Sequence, residues 1–344
     1  MVALLVAGTG MVLIPRDSAS PPDVPYSETA RLAAMEDALL LREAAAWLAD
    51  TAAPDAGKPA LGNAVTLLTT HAQALLIPDG AASNATASGG PAAAVQANAT
   101  TSISATTPTS RASFLTGLAG SGRERLDDAR KADGGIARLL AAVGSAQLLQ
   151  AERLATEWQL PLPPQATASN TKAPEATPLA ASCPSASPTP QPTSATTDTA
   201  LAAMVRSQHE AIYVYQVALK RLDNSTSAAA AKYLQEHEAL LEQAESLTSA
   251  NCADVPPSEA GYGLPEEFSQ GPATFLGSVE LASLPRFGDL VALSTEETRA
   301  WAVEGLLAAA RRSTAWGAPL PALPGLMLDA DELPSLPMPT SNGG

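Results

Sequence analysis

The residues of this chain that could do chemistry are histidines, glutamates and tyrosines set at helical spacings in its second half. "RSQHEAIYVYQ", residues 206–216, places His209 beside Glu210 near the start of an apolar, aromatic-bearing helix. Successive residues diverge by about 100° around a helix. Gln208, Ile212 and Tyr215 therefore share the inward line with Leu201, Met204 and Leu219, His209 lies at its edge, and Glu210 points to water. In "QEHEALLE" the line Tyr233, His237, Leu240, Ala244 turns His237 inward. Glu280 shares a side with Leu276 and Leu284, and Glu304 lies beside Ala300 and Leu307.

Imidazole with two carboxylates is a donor set for iron or manganese. His237, Glu280 and Glu304 are accordingly the candidate metal ligands. A di-iron centre in a bundle needs Glu-x-x-His from two helices and a carboxylate from each of two others. No Glu-x-x-His occurs here, and the inward place of the first helix holds the neutral Gln208. The competing expectation, and the preferred one, is a core polar cluster of Gln208, His209, Tyr213, Tyr215 and His237 closed by internal hydrogen bonds, with no resident cofactor and no catalytic residue. His71, in line with Leu68 and Leu75, reads as a core histidine. No P-loop, dinucleotide fingerprint or serine-hydrolase elbow is present. "GLAGSGRER" at 117–125 lies inside a helical pattern with no strand before it. The Asn-x-Ser/Thr patterns at Asn84, Asn98 and Asn224 arise readily in Ser/Thr-rich sequence.

The elements that must position these residues are helices. Apolar residues recur at three, four and seven over 27–50, 60–77, 110–132, 136–158, 198–223, 228–250 and 272–284, and from 294 to about Trp316. Asp198 reads as an N-cap, "NSTS" at 224–227 as a turn, and "STEE" at 294–297 as a capping box on Ser294. Each half thus holds four helices, with a short turn inside each pair and a long connection between the second and third. Short turns make antiparallel neighbours, and one long crossover is the ferritin-like arrangement. The fold class is all-α: two four-helix bundle regions, at 27–159 and 198–326. A low-complexity loop covers 78–108, a Pro/Ser/Thr/Ala-rich linker 160–197, and a disordered tail 327–344. The likeness between the halves is too weak to establish a repeat from residues alone.

Composition limits the function. The 344 residues carry a formal net charge of -15 and no basic run, which argues against nucleic acid. Hydrophobic residues make up 46% but aromatics only 4%, so the core must be built of closely approaching, alanine-rich helices. "VALLVAGTGMVLI", residues 2–14, is uncharged and apolar. It is too short for a bilayer span, which takes about 20 residues, and has the length of a signal-peptide core. Residues 1–26 therefore read as a signal or anchor remnant with a spacer, and the protein as extracytoplasmic, membrane-anchored or secreted. In that setting Cys183 and Cys252 are expected to pair, worth about 4 kcal/mol in the chain-entropy model.

From Leu201 to Leu326 the chain resembles a ferritin-like domain of unknown function found in exported actinobacterial proteins. The resemblance rests on "QHEAIYVYQVALKRL", "EHEALLEQAESL", "AWAVEGLLAAARRSTAW" and the closing "PALPGL". That family's first stretch usually reads Glu-His-x-x-x-Tyr-x-Tyr; Gln208 takes the Glu place, and His209, Tyr213 and Tyr215 match. His237 matches a family histidine in the second helix. The resemblance implies a ferritin-like bundle in an envelope-associated protein and carries no assigned activity. The expectation is a non-enzymatic interaction or structural module, partnered by an envelope protein or by itself. The alternatives are a metal-binding protein or oxidoreductase, and a carrier of an apolar ligand.

Overall fold

The computed structural model describes residues 24–51, 58–76, 110–162, 195–328 and 332–336. Among them the secondary structure is helical: α1 (Tyr26–Thr51), α2 (Lys58–Leu76), α3 (Arg111–Ala129), α4 (Gly134–Trp158), α5 (Thr197–Ala218), α6 (Asn224–Ala250), α7 (Glu266–Gln270), α8 (Pro272–Leu293) and α9 (Glu296–Ala315). Residues 1–23, the loop at 78–108, most of the 160–197 linker and the end of the tail lie outside the described residues, and so does Cys183.

In the first half the polar contacts fix direction. Arg31 donates to the Leu75 carbonyl, so α1 begins where α2 ends. Tyr26 donates to Asp128 at 2.7 Å and Ser27 to Asp133 at 2.8 Å, so α1 also begins where α3 ends. α2 and α3 therefore run parallel, which requires a crossover between them. Buried Arg125 reaches Asp37 at 3.3 Å and Asp128 at 3.1 Å, tying α1 to α3. The core seams are small: Ala30, Ala34, Ala38, Ala44 and Ala45 are buried in α1. A Cβ on Gly144 of α4 would stand 2.7 Å from the Gly122 carbonyl of α3, so those two backbones meet where both residues lack side chains.

The second half repeats the order. Thr197 donates to the Leu293 carbonyl at 2.6 Å, placing the start of α5 at the end of α8. α8 and α9 form a tight hairpin, in which a Cβ on Gly305 would lie 2.1 Å from the Phe287 ring. The two halves share one core, which runs from Leu140 of α4 to Phe287 and Leu290 of α8 and Leu306 of α9.

Several local expectations need correction. α8 does not stop at Leu284 but continues through Pro285 to Leu293. An interior proline costs about 3 kcal/mol, and the burial of Phe287, Leu290 and Val291 beyond it outweighs that cost. Ser294 does not cap α9. Its hydroxyl bonds back to the Leu290 carbonyl and closes α8, while Thr295 holds the N-cap place. Thr196, not Asp198, caps α5, in a capping box with Thr199. "NSTS" is the first turn of α6 rather than a turn before it. Asp223 accepts from the Ser225 hydroxyl at 2.6 Å and from the Thr226 and Ser225 amides at 2.9 Å, and these bonds, the Ser225 hydroxyl foremost, hold its carboxyl down at about 2. The proline-rich stretch after α9 folds back onto the helices: Leu323 is buried, the Ala322 carbonyl faces His71 Nε2 at 2.8 Å, and the Gly325 carbonyl accepts from Arg138 at 2.6 and 2.9 Å.

Candidate functional site

Four helices of the second half bring their polar residues to one place. α5 contributes Gln208 and Tyr215, two turns apart on its inner face. α6 contributes His237, α8 Glu280, and α9 Arg312, with Trp316 just past its end. Gln208, Tyr215, His237, Glu280 and Arg312 are all buried.

Glu280 is the hub. Its Oε1 accepts from the Tyr215 hydroxyl at 2.7 Å and faces His237 Nε2 at 2.8 Å. Its Oε2 accepts from Arg312 Nε at 3.0 Å. Trp316 Nε1 donates to the Tyr215 oxygen at 2.8 Å, so that phenol both gives and receives. His237 Nδ1 faces Gln208 Oε1 at 2.8 Å, and Gln208 Nε2 faces Met204 Sδ at 3.2 Å. With the amide so placed, both ring nitrogens of His237 meet acceptors, the pattern suited to a doubly protonated ring; the reversed amide suits the neutral ring. The Tyr215 ring lies 5.0 Å from His237 and 6.3 Å from Trp316.

Burial pushes the Glu280 carboxyl up, but the His237 hydrogen bond, the Arg312 charge and the Tyr215 hydroxyl together hold it below the usual carboxylate range. Burial first, and then the Glu280 charge, push the Tyr215 phenol far above its ordinary value. Arg312 also reaches Glu236 at the rim, at 3.5 Å. The centre is thus a buried anion matched by the buried Arg312 cation, with Tyr215 and His237 bonding its remaining lone pairs.

Of the expected metal ligands, His237 and Glu280 meet and Glu304 does not. Glu304 is exposed on α9, where its carboxylate bonds Arg130 of the first half at 3.2 Å. The inner face of α9 runs through Trp301, Gly305, Ala309 and Arg312, not along Ala300 and Leu307. Among the described residues, no three His, Cys, Asp or Glu side chains gather in a geometry that would hold a metal ion. The donor set as it stands does not fit a divalent cation. It offers one carboxylate, one imidazole, a phenol and a neutral amide, with a guanidinium already on the second carboxylate oxygen.

Of the expected polar cluster, Gln208, Tyr215 and His237 are members. His209 lies at the edge, 3.8 Å from Glu245, and Tyr213 packs against Tyr262 with the rings tilted and their centroids 5.5 Å apart, outside the cluster. Arg312 and Trp316 were not anticipated. The signal for them is the spacing Trp301, Gly305, Ala309, Arg312, Trp316, which is helical and pairs two tryptophans with one arginine.

Residues 200–327 match the model of a family described as a domain of unknown function, DUF4439. The matched span contains every member of the cluster. No curated protein and no solved structure matches the chain.

Proposed function

We propose that the second half is a non-enzymatic, ferritin-like interaction or structural module of an envelope-associated protein. Its buried centre sets the register of the four helices rather than reacting. The observation that carries this is the Glu280 carboxylate, engaged by Arg312, His237 and Tyr215 at 3.0 Å or less. In a metal-binding bundle those oxygens would face the ion. Here the Arg312 guanidinium supplies the positive charge, and a dication beside it would be repelled. A polar group fixing register is the best-attested use of a buried charge in a helical assembly.

The ferritin-like assignment is supported by helix order: two antiparallel hairpins, with the crossover at 251–271 between α6 and α8. The envelope assignment is supported by the apolar sequence at 2–14. No helix among the described residues is long and apolar enough to cross a membrane. The pairing of Cys183 with Cys252 belongs to the same proposal, supported by Cys252 not being a free thiol.

Metal analysis of tag-free protein tests the reading. Iron and manganese are expected well below stoichiometric. Near-stoichiometric metal that disappears in His237→Ala would overturn it in favour of a metal-binding protein.

A further inference from the structure

The two halves match more closely once their helices are set side by side. α4 ends in "LLQAERLATEW" (148–158) and α9, with the residue after it, in "LLAAARRSTAW" (306–316). Both leucines, the alanine, the arginine, the threonine and the tryptophan fall in register. In that register the buried positions coincide: Leu140 with Thr298, Val143 with Trp301, Leu148 with Leu306, Ala151 with Ala309, Leu154 with Arg312, Ala155 with Ser313. α3 carries Ala-Ser-Phe-Leu at 112–115 where α8 carries Ala-Thr-Phe-Leu at 273–276. His71 stands as far from Lys58, the first residue of α2, as His237 from Asn224, the first residue of α6, and both are buried.

The polar atoms complete the comparison. In the second half His237 Nδ1 meets Gln208 and Trp316 Nε1 meets Tyr215. In the first half His71 Nδ1 and Trp158 Nε1 are buried without a partner. A buried unpaired polar atom in a folded protein calls for an explanation. Aligning the buried rows of α1 and α5 puts Ala38 at the place of Gln208 and Ala45 at that of Tyr215. Leu154 stands at the place of Arg312, and the part of α3 level with Glu280, Leu118-Ala119, is apolar. Where the second half has its acid, cation and acceptors, the first half carries alanine and leucine, and these two ring nitrogens are left without a partner.

What the first half has instead is an interface. Arg138 reaches Asp289 at 2.7 Å, Glu152 holds Arg311 at 2.5 Å, and Arg130 reaches Glu304. Arg299 donates to the Ala132 carbonyl. The places in α9 matched to Arg138 and Glu152 hold Glu296 and Ala310. A second copy of the C-terminal half would set Glu296 against Asp289 and offer Arg311 no acid.

We infer that residues 26–158 are a second copy of the fold at 197–316, stripped of its polar centre and specialised as the built-in partner of the α8–α9 face. The division of labour is physical: one copy keeps the Glu280–Arg312 centre, the other carries the complementary surface. This goes beyond the reading of the centre and does not depend on it.

The test uses the full chain with a specific protease site inserted between residues 163 and 182, so that Cys183 stays on the same piece as Cys252. After cleavage the wild-type halves are expected to elute together. Arg138→Glu is expected to weaken their association about tenfold by placing like charges together, and Asp289→Arg to restore it, with helix content unchanged by circular dichroism. Glu152→Arg and its rescue by Arg311→Glu repeat the test at the other end, should the first variant fail to fold. Wild-type halves that part on cleavage, or reversals that leave the affinity between the halves unchanged, overturn the partner role. An experimental structure in which superposing α3–α4 on α8–α9 leaves His71 a turn or more from His237 overturns the copy.

Discussion

Glu280→Gln removes one charge from the centre at nearly constant shape, and its cost can be worked from the geometry. The side chain is fully buried and takes protein hydrogen bonds on both oxygens. A glutamine oxygen can keep the Tyr215 and His237 bonds. Its amide nitrogen then faces Arg312 Nε across 3.0 Å, donor against donor. Arg312, 3% exposed, retains Glu236 at 3.5 Å, but that partner is 37% exposed. A pair so open to water is worth about 0–1 kcal/mol, whereas breaking a buried pair costs about 3–5 kcal/mol. The expected loss is therefore about 4 kcal/mol, or about 8 °C in melting temperature. Urea unfolding followed by far-UV circular dichroism at neutral pH should show a lower midpoint at unchanged slope. Adding Arg312→Met removes the stranded cation, and the double variant is expected within about 2 kcal/mol of wild type, so the two sites couple strongly. The acid side gives an independent readout. The folded carboxyl titrates below its ordinary 4.5, so its contribution is full above that pH and is lost as pH falls beneath it. Glu280→Gln should lack that loss. A single variant within about 1 kcal/mol of wild type, or a double variant no more stable than the worse single, would refute the buried charge pair.

Two further outcomes are expected. Burial lowers the His71 imidazole from 6.5 to about 4, so the unfolded chain takes its proton first and stability falls as pH drops through that window. The loss, about 3 kcal/mol at full protonation, should vanish in His71→Leu; an unchanged pH slope between 6.5 and 4 would count against a buried neutral ring donating to Ala322. Thiol labelling of denatured, unreduced protein should find neither Cys183 nor Cys252 reactive, and two labelled thiols would remove the proposed disulfide.

The helices were legible in the sequence because leucines punctuate them. Leu61, Leu68 and Leu75 mark the buried face of α2 at seven-residue spacing, and all three are fully buried. Inward lines were legible where a bulky or polar residue breaks an apolar row, as at Tyr215, His237 and Glu280. They failed in α9, where alanine stands on several faces at once and periodicity loses its contrast. The line through Ala300 and Leu307 is as apolar in sequence as the true one, and it places Glu304 beside the core. Helix ends failed where a local pattern competed with packing. Ser294 and Glu297 have capping-box spacing, but α8, held by Phe287 and Leu290, extends to Leu293 and takes the serine for itself.

Arg311 and Arg312 show why the centre's cation was illegible. They are neighbours in sequence and lie about 100° apart on the helix. One reaches across the interface to Glu152 and the other reaches inward to Glu280. Nothing in "AARRST" distinguishes them; only the acid waiting on α8 does. The same choice recurs through the chain. Arg31, Arg125, Arg299 and Arg312 are all buried, with exposures of 7%, 1%, 7% and 3%. Two of them donate to backbone carbonyls near helix ends, Arg31 to Leu75 and Arg299 to Ala132, where orphaned carbonyls need donors. Alanine seams let helices approach closely but leave short side chains around the places where helices end or diverge. A long side chain with an apolar stem and a forked head fills such a place and bonds what it finds there. In a core with few aromatics, arginine takes the space that phenylalanine would fill elsewhere, and at Arg312 the group it bonds there is the Glu280 carboxylate.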